Sequence, residues 1–307
     1  MQDFSYRPKY FSDFIGKDNL KQNLKVYIDS CIKQNKTLDH VLLHGIPGIG
    51  KTSLATVIAN ELNTKIHYLQ GPSIRQISDV LDITMSIKEN EVVFIDEVHN
   101  VDPKCMELIY SMMEDFVIDI KLGKSLNSQY TRFNIPKFTL IVSTNYLSKL
   151  PEPFIERFGI KFFIDNYSEY EILEILERIN SNLSNKLDKK EIILLSKHSK
   201  GIPRIAINLY KRFLDFKLVS NIQDPYKILK TIGIFSDGLE QQDISYLRIL
   251  NEHSKPIGLR SLSQTLDLDY RTIELKIEPY LLKKNYIIKT KTGRFITNKG
   301  KEVLDKI

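Results

Sequence analysis

Apolar and polar positions come in blocks along the first third of the chain. Strand-like apolar runs at HVLLHG (40–45), KIHYLQG (65–71) and VVFIDEV (92–98) surround TSLATVIANEL (52–62), whose apolar positions recur every three or four residues. Short buried runs predict strands and the 3.6-residue rhythm predicts a helix, so the block reads as βαβ: a parallel sheet covered by helices. FTLIVST (138–144) predicts one more buried strand, ending in small hydroxyl residues. In α/β sheets of this kind ligands bind beyond the carboxyl ends of strands, which directs attention to the residues just after each run.

Further along, the pattern changes twice. Residues 116–136, FVIDIKLGKSLNSQYTRFNIP, place two alternating segments around a Gly/Ser/Asn-rich centre and predict a β-hairpin. From Tyr167 to Asp215 the spacing turns helical, with SEYEILEILERI burying one face. After IFSDGLEQQD, three short helices are predicted at ISYLRILNEH, LRSLSQTLDL and YRTIELKIEPYLLKKN, then two strands around Thr292-Gly293. Three helices and a two-stranded wing describe a winged helix. The division expected is an α/β domain over 1–165, a small helical domain over 166–238 and a winged helix over 239–307.

With 307 residues, 42% of them hydrophobic and 27% charged, the chain has the composition of a globular protein of two or three domains rather than a disordered one. No apolar run approaches the length of a membrane span, and MQDFSYRPKY lacks the layout of a signal peptide, so a cytoplasmic location without a membrane partner is expected. Cys31 and Cys105 have no Cys or His neighbours at metal-ligand spacing and read as ordinary thiols. A net charge of +6 is compatible with a nucleic-acid partner and equally with a Lys-rich composition. Its placement is more informative: Lys283 to Lys301 holds seven basic residues and no acidic one, on the predicted wing. Lys289, Lys291 and Arg294 are the candidate contacts to backbone phosphates, with a solvated basic strand as the bland alternative.

The chemistry starts at Gly45-Ile46-Pro47-Gly48-Ile49-Gly50-Lys51-Thr52, which matches GxxxxGK[ST] after a predicted strand and at the opening of the predicted helix 52–62, with Ser53 next in line as a further nucleotide contact. Its backbone N–H groups and helix N-terminus suit phosphates, Lys51 reaches the β- and γ-phosphates, and Thr52 is a ligand for Mg²⁺. VVFIDEVH delivers Asp96 and Glu97 to a strand end, Asp96 for the Mg²⁺ hydration shell and Glu97 to orient and deprotonate an attacking water. FTLIVST brings Thr144 and Asn145 to the same edge, as holders of that water or as strand caps. Arg157 in LPEPFIERFG suits a surface position, a salt bridge, or a reach into a neighbouring subunit's nucleotide. Arg204 opens a helix in GIPR, where it starts a helix or contacts the γ-phosphate.

The order RPKYFSDFIG, DHVLLHGIPGIGKT, FIDEVH, MEDFVIDIKLG, FTLIVSTN, ERFG and GIPRIA resembles the RuvB family of bacterial Holliday-junction branch-migration motors, within the AAA+ ATPases, from about residue 6 to the end. The resemblance implies an ATP hydrolase binding ATP or ADP with Mg²⁺, usually a homo-hexameric ring on the duplex arms of four-way junctions. It implies that Thr144 is the first sensor, Arg204 the second and Arg157 an arginine finger acting in trans. Arg7, Pro8, Phe14 and Ile15 match the stretch around the adenine. In that family the hairpin docks RuvA, with RuvC in the full complex, so the resemblance makes Tyr130, Thr131, Arg132 and Phe133 candidate partner contacts, more polar here than in the family pattern. Asn145 and Tyr146 also depart from that pattern. Arg294 matches its wing-tip arginine. Two other classes share parts of these features: a nucleotide-switched DNA-binding initiator, which would need no docking hairpin, and a clamp-loader subunit, which would lack the basic winged helix.

Overall fold

The structure is a computed structural model, and it describes residues 7–122 and 129–307. Its contacts divide the chain into two compact units between Tyr167 and Ser168.

The first unit is built in chain order from α1 (Asp18–Gln34), β1 (Val41–Gly45), α2 (Lys51–Glu61), β2 (Ile66–Gln70), α3 (Ile77–Ser86), β3 (Val92–Asp96), α4 (Pro103–Glu114), β4 (Val117–Leu122), β5 (Gln129–Asn134), β6 (Thr139–Thr144), α5 (Glu152–Glu156) and β7 (Ile160–Ile164). Five strands form a parallel sheet in the order β2-β3-β6-β1-β7. Strands β1, β3 and β6, the continuous apolar runs, occupy the middle, because only a strand covered on both faces can be apolar at successive positions. Val93, Ile95, Leu140 and Val142 pack against Val80, Ile83, Ile109 and Met112 of α3 and α4 in one buried cluster. In register, His44 lies beside Thr144 and Gln70 beside Asp96, so the chemically interesting ends share one edge.

β4 and β5 make a separate antiparallel pair, with Ile118 opposite Phe133 and Asp119 opposite Arg132. The predicted hairpin is therefore present in its arms; its centre, 123–128, lies outside the described residues.

The second unit begins with α6 (Glu169–Ser181), α7 (Lys189–Lys197), α8 (Pro203–Val219) and α9 (Pro225–Ile232). Ser168 and Glu171 form a capping box at the start of α6, each side chain taking the other's backbone N–H. Then come α10 (Gln241–Glu252), α11 (Leu259–Leu266), α12 (Tyr270–Thr272), α13 (Glu278–Lys283), β8 (Ile287–Lys289), β9 (Arg294–Ile296) and α14 (Asn298–Leu304). These last elements share their own core, including Tyr246, Leu247, Leu262, Ile277, Leu281 and Ile296. The third predicted helix is interrupted: a π-type turn at Ile273–Ile277 joins α12 to α13. Pro279 explains it, since proline lacks an N–H and its ring would crowd the carbonyl four residues earlier, and a widened turn relieves both. Helices α1, α3, α9 and α14 are additions to the elements that the sequence pattern predicts.

Candidate nucleotide and DNA sites

The loop after β1 turns through positive φ at Gly48 (80°) and Gly50 (101°), which L-residues rarely adopt, and then enters α2. Ile49 between them is fully buried and anchors the turn. Lys51, only 8% exposed, folds back over the loop: its Nζ donates to the Gly45 carbonyl (2.8 Å), the Ile46 carbonyl (3.0 Å) and Asn145 Oδ1 (2.6 Å). Ser53 is half-buried in the first turn of α2, and Pro47 is exposed on the loop.

Asp96 ends β3 beside this loop. Thr52 Oγ1 donates to Asp96 Oδ2 at 3.3 Å, and the Ser143 hydroxyl makes a short bond to Asp96 Oδ1. Thr52 and Asp96 thus bring hard oxygen donors together, the set that suits Mg²⁺. Glu97 follows in a left-handed conformation, φ 52°, which turns the chain sharply after the strand. Gly71 leaves room for that turn, since a Cβ there would stand 2.2 Å from the Glu97 carbonyl oxygen. Glu97 Oε2 accepts from Asn100 Nδ2 at 3.4 Å.

Strand β6 separates the two residues expected to act together. Successive side chains alternate between faces. Ser143 and Asn145 meet Asp96 and Lys51, whereas the Thr144 hydroxyl accepts from the Tyr146 backbone N–H (3.0 Å) and lies 3.1 Å from His99 Nδ1. Here Asn145, not Thr144, touches the loop lysine. Burial, with Lys149 adding to it, lowers the pKa of His99 against the pull of Glu97 and Asp96. His44, on β1 just before the loop, is likewise lowered by burial and then by Lys51. The surroundings of the loop therefore favour neutral imidazoles.

The segment 7–17 lies against α2. Phe11 N donates to Glu61 Oε1 (2.7 Å), Asn60 Nδ2 donates to the Lys9 carbonyl (2.8 Å) and Lys21 Nζ to the Phe14 carbonyl (2.9 Å). Phe14 is buried with its ring at van der Waals distance from where a Cβ on Gly50 would sit. Pro8 is buried, Ile15 half-buried and Arg7 exposed.

Arg157, at the C-terminus of α5, is engaged within its own subunit. Nη2 and Nε reach Glu114 Oε2 at 2.9 and 3.2 Å, Nη1 donates to the Pro153 carbonyl at 2.6 Å, and the guanidinium lies 5.3 Å from the Tyr110 ring centre. Arg204 stands exposed in the first turn of α8, in the other unit. On the hairpin, Arg132 forms a two-bonded pair with Asp119, both at 2.8 Å, and Phe133 is 46% exposed with Thr131 half-buried. Tyr130 sits opposite Lys121 in the register.

The wing departs from the expectation drawn from its charges. Arg294 is 14% exposed, its Nε donating to Glu278 Oε1 (2.7 Å) and Nη2 to Glu274 Oε1 (3.1 Å). Lys289 Nζ pairs with Glu278 Oε2 at 2.6 Å, and Tyr246 donates its hydroxyl proton to the same carboxylate at 2.9 Å. Burial alone would raise the Glu278 pKa, but the bonds from Arg294, Lys289 and Tyr246 outweigh it and hold the carboxyl below its usual range. Arg294 and Lys289 are thus committed to the winged helix itself, and Lys291 is the exposed member of the predicted trio without such a bond among the described residues.

The phosphate loop, the carboxylate turn and the 2-3-6-1-7 strand order define a P-loop ATPase of the AAA+ class, joined to a helical segment and a winged helix. The chain belongs to the RuvB family. Residues 6–164 match the Holliday junction DNA helicase RuvB P-loop domain, 167–232 the RuvB AAA lid domain and 236–305 the RuvB C-terminal winged helix domain. It is 45% identical to the Holliday junction branch migration complex subunit RuvB of Ureaplasma urealyticum over 97% of this chain and 96% of that one. Against the same subunit of Mycoplasma genitalium the figures are 42%, 97% and 97%. The solved structure of the Thermotoga maritima RuvB Holliday junction branch migration motor superposes with a TM-score of 0.82 at 33% identity, covering 98% of both chains. No helix among the described residues is long and apolar enough to cross a membrane.

Ser143, His99 and Glu114 are absent from the residues that sequence reasoning singles out. Ser143 was recoverable, since alternation along FTLIVSTN puts it on the face of Asn145. The contacts of His99 and Glu114 are set by folding over 45 and 43 residues and left no local signal.

Proposed function

We propose that this protein is an ATP-hydrolysing DNA translocase that drives branch migration of four-way junctions, acting as a hexameric cytoplasmic ring with RuvA and, in the full complex, RuvC. The observation carrying this reading is the meeting of Lys51, Asn145, Thr52 and Asp96 at one sheet edge, in a chain that aligns over 97% of its length with a branch-migration subunit. The division into an ATPase domain (1–165), a lid (166–238) and a winged helix (239–307) belongs to the same proposal.

In this reading Lys51 exchanges its three oxygen partners for phosphate oxygens, and the backbone N–H groups of 45–53 cradle the rest. Thr52 and Asp96 hold Mg²⁺, which supplies charge neutralisation when bound. Glu97 takes the proton of the attacking water, and Asn145 reports on the γ-phosphate through its contact with Lys51, with Thr144 fixing the strand end behind it. Arg7, Pro8, Phe14 and Ile15 border the base, and Arg204 is the second sensor. Tyr130, Thr131, Arg132 and Phe133 form the arm that docks RuvA.

Arg157 is the finger in trans, released from Glu114 when a neighbour's phosphates offer a stronger anion. Arg157→Ala subunits bind ATP normally but assemble into inactive rings, and mixing them with Lys51→Ala subunits restores hydrolysis at mixed interfaces. No recovery in the mixture would remove the trans assignment.

DNA contact moves from Arg294 to the exposed lysines. Lys291→Ala weakens duplex binding roughly equally for all sequences and lowers the salt slope by about 0.9. An unchanged slope would place the wing away from DNA. The whole proposal is tested by branch migration of a synthetic four-way junction with ATP, with and without RuvA; absence of ATP-dependent strand exchange in both would refute it.

A further inference from the structure

His40, the residue before β1, has a place in this machine that the nucleotide chemistry does not use. We propose that His40 is a positioning residue that registers the junction between α4 and the hairpin on the central sheet, so that the docking arm and the Glu114–Arg157 pair keep one geometry relative to the nucleotide loop. This rests on the reading of the hairpin as the docking arm.

The ring is 8% exposed and bonded at both nitrogens. Leu140 N donates to Nδ1 at 2.9 Å, which fixes the tautomer: Nδ1 is the acceptor, the proton sits on Nε2, and Nε2 donates to the Met113 carbonyl at 3.0 Å. Leu140 lies near the start of β6, one residue before the register in which Val41 of β1 faces Ile141. Met113 lies in the last turn of α4, where helix carbonyls have no partner within the helix. One neutral imidazole therefore closes a buried donor of the sheet and a buried acceptor of the helix, two groups that water cannot reach.

The residues on either side of the Met113 junction give this bridge its mechanical meaning. Glu114, the next residue, holds Arg157. Phe116 takes a left-handed conformation, φ 54°, which a bulky side chain rarely adopts, at the entry to β4. Its ring sits 6.1 Å from that of His40 and 6.0 Å, edge-on, from Phe138, and His40 and Phe138 are 5.7 Å apart. The Phe116 carbonyl accepts from Ile135 N at 2.8 Å and closes the base of the hairpin. Four consecutive residues thus join helix, finger and hairpin, and His40 is the side chain that bonds them to the strand leading to Ser143, Thr144 and Asn145.

Two variants separate the two bonds. Asn places its amide oxygen near the position of Nδ1 and keeps the bond from Leu140 while losing Met113; Gln places its amide nitrogen near Nε2 and keeps Met113 while losing Leu140. His40→Asn speeds amide exchange at Val117, Ile118 and Ile135 by about tenfold or more, whereas His40→Gln leaves these amides within about threefold of wild type. Exchange in β3 is unchanged in both. Stimulation of ATP hydrolysis by RuvA bound to a four-way junction falls in His40→Asn and persists in His40→Gln, with the KM for ATP unaltered in both. Equal exchange at the hairpin base in the two variants, or faster exchange in Gln than in Asn, overturns the proposal. If only one variant folds, its exchange against wild type still decides: Gln must match and Asn must be faster. If the wild-type protein itself ignores RuvA, the docking reading fails, while the exchange contrast stands or falls independently.

Discussion

Glu97→Gln binds ATP and loses steady-state hydrolysis by about 10²- to 10⁴-fold, the usual worth of a positioned general base. The structure gives reasons why binding survives. Lys51, Thr52 and Asp96 are bonded to each other's neighbourhoods through Asn145 and Ser143, and none of these bonds passes through the Glu97 side chain. The left-handed turn at Glu97 is tolerated by Gln as well as by Glu, so the backbone after β3 keeps its course. The amide retains an acceptor for Asn100 but takes up no proton. The measurement is steady-state phosphate release alongside nucleotide titration; turnover near the wild-type rate would remove Glu97 from the reaction.

Glu278→Ala has the largest expected effect on stability, about 3–5 kcal/mol of unfolding free energy for the winged helix, since removing one member of a buried ion group strands its partners. Glu278 is fully buried and accepts from Arg294, Lys289 and Tyr246; because Lys289 is itself 42% exposed, the lower end of that range applies. Glu278→Gln costs less, as its oxygen still accepts. The pH dependence has a definite sign. The folded carboxyl titrates below its unfolded value, so its contribution is complete above a pH of about 4.3 and is lost as pH falls through the folded pKa. The difference in melting temperature between wild type and Glu278→Gln should therefore shrink on acidification. A difference that grows instead would mean that the group is held protonated.

The parts of the molecule visible in sequence are those written in short-range pattern. Apolar runs gave the central strands, glycine spacing gave the phosphate loop, and the alternating arms of 116–136 gave the hairpin. Beside α1, α3 and α9, which no stated pattern covers, two elements escaped for identifiable physical reasons. Helix α14 has seven residues and carries Gly300 in its middle, so its periodicity is too brief to read. The π-type turn arises from Pro279, visible in the sequence, but its outcome depended on whether the helix broke or widened. At the site, Lys51, Asp96 and Glu97 followed from motif and context. Which of Thr144 and Asn145 meets Lys51 required only the two-residue alternation of a strand, a signal present but outweighed by family pattern.

Arg294 illustrates the opposite limit. A run of seven cations with no acid looks like a single binding surface, yet Glu274 and Glu278 reach it from 20 and 16 residues upstream. Their i,i+4 spacing put them on one side of a helix, but nothing local told that this side would face the wing.

That pairing also sets how strongly salt should govern the grip on DNA. Of the seven cations between Lys283 and Lys301, Arg294 and Lys289 are paired with Glu274 and Glu278, and Lys284 Nζ lies 3.7 Å from Asp237. Lys283, Lys291, Lys299 and Lys301 stay exposed, which leaves four to displace condensed counterions from a duplex. At about 0.9 ions released per phosphate neutralised, each winged helix would, on the proposed reading, contribute a log–log salt slope of at most about 3.6 rather than the roughly 6.3 that the bare sequence would suggest. On the proposed reading, a weaker ionic hold on each arm would let a subunit release and re-engage as the duplex advances.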